Sequence, residues 1–172
     1  NKGLEVIEAR WLFNLKPSQI EVVVHPQSIV HSMVQFEDGS VKAQLGLPDM
    51  RIPIQYALTY PFRVKSDFPR INFGKDLQLT FECPDTNRFP NLALAREALE
   101  RGGNMPCVLN AANEVVVEGF LEQSIGFMQM PEIISEIMTK SDYIAKPSLG
   151  DYEITDRETR LKTAELILHK LA

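Results

Sequence analysis

Tryptophan, cysteine and histidine are scarce in this chain: one, two and three among 172 residues. Two cysteines, Cys83 and Cys107, make no disulfide framework, and neither has a partner at metal-ligand spacing, which fits a reducing compartment. Long apolar runs are missing too. None approaches the ~20 residues of a membrane span, and no secretory leader pattern is visible, so no membrane partner is expected. Cations are outnumbered, 18 against 23 acids, and a net charge of −5 argues against nucleic-acid binding through clustered cations. No glycine-rich phosphate loop follows a strand, which excludes a dinucleotide fold within these residues. No Ser/His/Asp order supports nucleophilic machinery, and no repeat or low-complexity segment stands out. What is present is ordinary for a soluble globular protein: 44% hydrophobic and 24% charged, enough for one domain or two small ones.

The chain is organised around its first stretch, Asn1-Lys2-Gly3-Leu4-Glu5, which opens a helix expected to reach about Leu15. Asn1 is a good N-cap residue, whose side-chain oxygen suits an orphan N–H of the first turn. Lys2 breaks the usual rule by placing a cation at the positive end of the helix dipole. Gly3 costs up to ~1 kcal/mol relative to Ala inside a helix and strips bulk from that turn. A bare helix start with a cation beside it suits an anion. Leu4, Ile7, Trp11 and Leu15 form one apolar stripe, and Val6, Ala9, Leu12 and Phe13 cover most of the other side. A helix apolar nearly all round is expected to be buried. Glu5 falls within one turn of Lys2 on the flank of that second face, where a carboxylate must be paired, neutralised or bound to a metal. Two readings stay open: an ordinary i,i+3 pair with Lys2, or a ligand.

Further along, Lys16-Pro17-Ser18 reads as a stop and turn, and Ile20 to Val24 as a short β-branched strand broken by Pro26. Ile29 to Phe36 and Val41 to Leu45 flank Asp38-Gly39, the signal of a tight hairpin. Two strands do not stand alone, so a larger sheet is expected. Ile52 to Thr59 is expected to be helical, with Pro53 in its first turn. Residues 60–86 form a proline-punctuated connector with one possible strand, Leu77 to Phe81. The remainder reads as four helices. Pro90 to Arg101 is closed by Gly102-Gly103, the second runs from Asn104 and Pro106 to about Gln123, and the third from Pro131 to Lys140. The fourth opens at the capping box Thr155-Asp156-Arg157-Glu158, with Leu161, Ala164, Leu168 and Leu171 on one stripe. The expected fold is α+β: a mixed sheet with a hairpin and flanking helices, then a C-terminal four-helix bundle.

The chemical candidates outside the first turn have bland readings beside the sharp ones. His25 and His31 suit acid–base or ligand work, or hydrogen bonds to backbone. His169 needs only the dipole of the last helix. Asn110, Asn113 and Glu114 form a polar patch read as amides that fix packing through the backbone, with a ligand role as the rival reading. Glu132 and Glu136 form a solvated helix face.

Three segments in order resemble one family: Asn1-Lys2-Gly3-Leu4-Glu5 with Glu8-Ala9-Arg10-Trp11-Leu12-Phe13, His25-Pro26-Gln27-Ser28-Ile29-Val30-His31-Ser32, and Leu45-Gly46-Leu47-Pro48-Asp49-Met50. Phe89-Pro90, Leu109-Asn110-Ala111-Ala112-Asn113-Glu114 and Phe120-Leu121 agree. Together they are similar to 1-deoxy-D-xylulose 5-phosphate reductoisomerase across essentially the whole chain. The resemblance implies a ketose phosphate rearranged by a retro-aldol/aldol-like step and reduced with NADPH to 2-C-methyl-D-erythritol 4-phosphate, on the non-mevalonate isoprenoid route. A divalent cation, Mn, Mg or Co, chelates the substrate. It implies Asn1 and Lys2 as holders of substrate oxygens, and Glu5 as a metal ligand that also meets substrate. Lys2 and Glu5 are then the catalytic pair, Pro48 and Met50 line the site near the nicotinamide, and His31 lies beside the pocket.

The resemblance also implies a division: residues 1–59 as the C-terminal part of a catalytic domain, 60–86 as connector and 87–172 as the helical bundle. The NADPH domain, the other acidic ligands, the active-site flap and several phosphate-binding residues are expected upstream, so this polypeptide is expected to be a shortened piece, inactive alone. A homodimer is implied, in bacterial cytoplasm or in a plastid. The rival class is a non-catalytic association module whose sheet and bundle serve assembly.

Overall fold

The computed structural model describes residues 1–74 and 78–171. In order these form α1 (Lys2–Leu12), a 3₁₀ turn (Pro17–Gln19), β1 (Val30–Gln35), β2 (Val41–Leu45), α2 (Arg51–Thr59), α3 (Asn91–Arg101), α4 (Met105–Leu121), α5 (Gln129–Lys140) and α6 (Leu149–Leu171). The α+β class stands. Among the described residues the sheet is the antiparallel β1–β2 hairpin alone. The chain divides into two compact units, Asn1–Val22 with Pro84–Ala172, and Val23–Cys83. These packing groups do not follow the lines expected at 59/60 and 86/87. α1 packs against α3, because its buried residues Val6 and Ile7 join the core of the later helices.

In the first unit α3 to α6 share one core, and α1 adds a fifth helix to it. Met105, Val108, Val116, Ile133 and Ile134 sit at its centre, each 2% exposed or less. α3 ends where Gly102 and Gly103 take positive φ of 66° and 55°. Gly103 has a second reason to be glycine, since a Cβ there would collide with the Ile144 carbonyl oxygen. Several expectations are corrected in this unit. α1 stops at Leu12, three residues early, and buries one stripe only: Trp11, Leu12 and Phe13 are 66–76% exposed. Ile20 to Val24 is not a strand; Ile20 and Val22 pack onto the helical core instead, which consumes the β-branched alternation.

α6 starts six residues before its expected box. Ser148 and Asp151 form the cap: Ser148 N–H donates to Asp151 Oδ2 at 2.8 Å, and Asp151 N–H donates to Ser148 Oγ at 3.2 Å. Thr155 is therefore mid-helix. The expected apolar stripe is also displaced, for Leu161 and Leu168 are 59% and 67% exposed while Thr155, Thr159, Thr163 and Ile167 are buried. Threonine suits that position because its hydroxyl returns to the preceding turn, as Thr163 Oγ1 does to Thr159 O at 2.7 Å. Leu171's side chain lies outside the described residues.

In the second unit Gly39, at φ +83°, closes a three-residue loop between Phe36 and Ser40. β1 and β2 pair Met33 with Ala43 and Val34 with Lys42, with an irregularity between Val30 and Ser32. The strand expected from Leu77 begins outside the described residues, and 78–81 are irregular. Val24 and Glu82 instead form an isolated bridge, each N–H donating to the other's carbonyl at 2.9 Å. α2 forms as expected from its proline-tolerant start.

Candidate functional site

Asn1, Lys2 and Glu5 share the first turn of α1. Asn1 occupies the cap position and its carbonyl accepts the first helical bond from Glu5 N at 2.9 Å, but its side chain caps nothing. That corrects the expected capping role and leaves the amide uncommitted. Lys2 Nζ donates to Glu5 Oε2 at 2.8 Å, with the two side chains 65% and 54% exposed. The i,i+3 pair is therefore real, and in this chain water already solvates the carboxylate. Burial does not force Glu5 toward a metal, contrary to expectation, because α1 buries only the stripe of Val6 and Ile7 and leaves Glu5 in solvent. Among the described residues Glu5 Oε1 receives no hydrogen bond, and no group of three or more His, Cys, Asp or Glu is placed to hold a metal ion. Glu5 thus offers one hard oxygen donor of the kind Mg²⁺ or Mn²⁺ accepts, and a complete ligand set is not found among them.

Gly3 sits between these residues for a packing reason the sequence did not reveal, a close approach to Ala95 of α3. No periodic signal marks Ala95, which reads simply as one more small core residue.

Pro48 and Met50 belong to the second unit, in the loop between β2 and α2. Asp49 holds this loop: its carboxylate accepts Arg51 N–H at 3.0 Å and the Arg51 guanidinium at 2.6–3.0 Å. Those bonds, the side-chain ones foremost, draw the Asp49 carboxyl below its usual range. Met50 stands 70% exposed beside this clamp. A cleft of about 530 Å³ opens in the same unit between β2, α2 and residues 63–73, walled by Gln55, Tyr56 and Arg63. Neither Pro48 nor Met50 lines it.

His31 follows its bland reading and His25 follows it at one nitrogen only, since His25 Nε2 is buried without a partner among the described residues. His25 Nδ1–H donates to Thr80 O at 2.8 Å and its ring stacks on Phe81, while His31 Nε2–H donates to Gly46 O at 3.1 Å. The Asn110–Glu114 patch departs from its reading. Asn110 donates to Glu114 at 2.9 Å, and Arg160 of α6 bridges Glu114 and Asp156 at 2.7 and 2.8 Å, so the patch fixes helix pairing through side chains rather than backbone. Asn104, expected only to start a helix, has a buried side chain that donates to Asp142 O and Thr155 Oγ1 and accepts Ile144 N–H. The Ser148-Leu149-Gly150-Asp151 pattern did carry a readable cap signal.

Comparison with known proteins bears on the whole chain. The family model described as the DXP reductoisomerase C-terminal domain matches residues 45–162. The 1-deoxy-D-xylulose 5-phosphate reductoisomerase of Bacteroides thetaiotaomicron is 62% identical over 167 residues, covering 97% of this chain and 43% of that protein. The Porphyromonas gingivalis protein of the same name is 54% identical over 170 residues, covering 99% and 44%. A solved structure of the reductoisomerase from Zymomonas mobilis in complex with NADPH matches with a TM-score of 0.90 at 45% identity, over 97% of this chain and 44% of that one. Another, a DOX-P reductoisomerase in complex with NADPH, fosmidomycin and magnesium, gives 0.90 at 40% identity, over 97% and 43%. The chain spans less than half the length of these relatives. With a family model matching most of its residues and relatives more than half identical along nearly its full length, this chain belongs to the DXP reductoisomerase family, through that family's C-terminal domain.

Proposed function

We propose that this chain is part of an NADPH- and divalent-metal-dependent reductoisomerase that converts 1-deoxy-D-xylulose 5-phosphate to 2-C-methyl-D-erythritol 4-phosphate. The observation that carries the reading is the grouping of Asn1, Lys2 and Glu5 on one exposed helical turn, in a chain 62% identical to a protein of that name. The Lys2 ammonium and the free N–H groups of the helix start bind substrate oxygens, the phosphate included. Asn1's amide, unused in capping, donates to a further oxygen. Glu5 contributes a carboxylate oxygen to the metal and meets the substrate. The bound cation, Mg, Mn or Co, supplies Lewis acidity at the substrate carbonyl, and NADPH supplies the hydride.

The Lys2–Glu5 pair prepares both groups for exchange. An exposed ion pair contributes about 0.2–1 kcal/mol. Parting it so that Lys2 turns to an anion and Glu5 to a cation is therefore cheap, and total charge stays balanced. Pro48 and Met50, beside the Asp49–Arg51 clamp, would supply apolar surface near a bound nicotinamide.

In this reading residues 1–59 carry the C-terminal part of the catalytic domain, 60–86 connect, and 87–172 form the helical domain. Function and packing then divide the chain differently, since α1 works for the first and packs with the last. The protein acts as a homodimer in bacterial cytoplasm. The 172-residue chain alone is inactive, because one metal ligand does not make an octahedral site.

Substituting Glu5→Gln in the complete protein tests the reading. Metal-dependent turnover is expected to fall at least ~100-fold with circular dichroism unchanged; unchanged turnover rejects Glu5 as a ligand.

A further inference from the structure

A Cβ built on Gly3 lies 2.5 Å from Ala95 Cβ and 3.5 Å from Asn91 O. Carbon atoms pack at about 3.5–4.0 Å, so a side chain at position 3 forces α1 and α3 apart by roughly 1 Å. Ala95 has no room to retreat: it is 1% exposed, and Ala98 one turn on is fully buried. α1 is anchored in the same core by Val6 and Ile7, 4% and 9% exposed. A helix held at Val6 and Ile7 and pushed at its first turn tilts about the anchor. The displacement is then largest at Asn1 and Lys2 and smaller at Glu5, which adjoins the anchor, and the tilt reorients the whole first turn.

We infer that Gly3 and Ala95 are positioning residues, and that α3 sets the placement of the Lys2 ammonium and the Glu5 carboxylate through this side-chain-free contact. The inference rests on the proposed roles of Lys2 and Glu5. It adds a task for α3, which holds a working turn in register. Misplacing reacting or binding groups by about 1 Å costs up to ~100-fold in rate, so the contact bears directly on activity.

The test uses full-length enzyme carrying Gly3→Ala, Ala95→Gly, the two together, or Glu5→Gln. The readouts are kcat, the KM for 1-deoxy-D-xylulose 5-phosphate, the magnesium concentration giving half-maximal rate, and Tm. Gly3→Ala is expected to lower kcat/KM about 10–100-fold and raise the magnesium requirement, at temperatures well below its Tm. The double variant removes the methyl group that the new one strikes, and is expected to return kcat/KM to within about threefold of the parent. Gly3→Ala within about twofold of the parent, or a double variant no better than Gly3→Ala, overturns the inference. Should Gly3→Ala fail to fold, a folded double variant still decides: near-parental kinetics support the contact's role, and a tenfold loss rejects it. Glu5→Gln separates the two levels. Unchanged turnover there overturns the site assignment and the inference with it, whereas a dead Glu5→Gln beside an unaffected Gly3→Ala overturns the positioning alone.

Discussion

Asn104 joins three segments through one amide. It is 1% exposed, accepts Ile144 N–H at 2.9 Å, and donates to Asp142 O and Thr155 Oγ1 at 3.0 and 3.3 Å. Replacing it with Ala leaves a part-buried backbone N–H and a buried threonine hydroxyl without these partners. The expected cost is about 3 kcal/mol, read as a lowered urea midpoint at unchanged m-value. Lys2 and Glu5 are the opposite case, an exposed pair with little structural worth. Lys2→Ala is expected to change stability by less than ~0.5 kcal/mol while lowering substrate affinity in the full enzyme; a drop in Tm with KM unchanged contradicts the binding role. Periodicity could find neither contrast, because the difference lies in which surroundings each polar group meets.

At the scale of an element, α6 repays attention because its apolar and buried faces differ. Leu161→Gln is expected to alter stability by no more than ~0.5 kcal/mol, and Ile167→Ala to cost about 2–4 kcal/mol; equal costs in thermal melts would contradict the observed facing. The helix start gives a second handle. Ser148→Ala removes the cap and is expected to cost about 1 kcal/mol. Hydrogen bonds from Ser148, its hydroxyl first and its backbone N–H second, hold the Asp151 carboxyl below its usual 3.8. A depressed carboxyl stabilises the fold above the unfolded value and loses that contribution as pH falls through the folded value. The stability gap between the parent and Asp151→Asn is therefore expected to be complete at pH 7 and to close below about pH 4. A gap that widens on acidification would contradict it.

Over the whole molecule, burial is unevenly shared. Among the described residues Ile29, at 7% exposure, is the single buried hydrophobic of the unit Val23–Cys83, and the rest of the core lies in the helical unit. Protection against amide exchange is expected to concentrate in α3, α4 and α5, with β1, β2 and α2 exchanging by low-energy opening. Comparable protection in the hairpin of the isolated 172-residue chain would contradict this. Much of the order was readable beforehand: the Asp38-Gly39 hairpin, α2 with its early proline, and α3 closed by two glycines each follow from local chemistry. Ile20 to Val24 forms no strand because β-branched alternation fits a helix-packed segment as well as a sheet. Two patterns of the S/T-x-x-D/E type lie seven residues apart, and the earlier one caps α6 while Thr155 is buried within the helix.

The sequence by itself determined the hairpin, the order of the helices and the family, since all three depend on residue identities at short range and on the order of several motifs. It also marked Asn1, Lys2 and Glu5 as one turn, a consequence of helical spacing alone. Tertiary structure decided that α1 packs with the late helices and that threonines rather than leucines of α6 face the core. It also decided that Gly3 is small because Ala95 lies against it. Those facts belong to contacts between residues about 90 positions apart or on different helices, which propensity and periodicity do not encode.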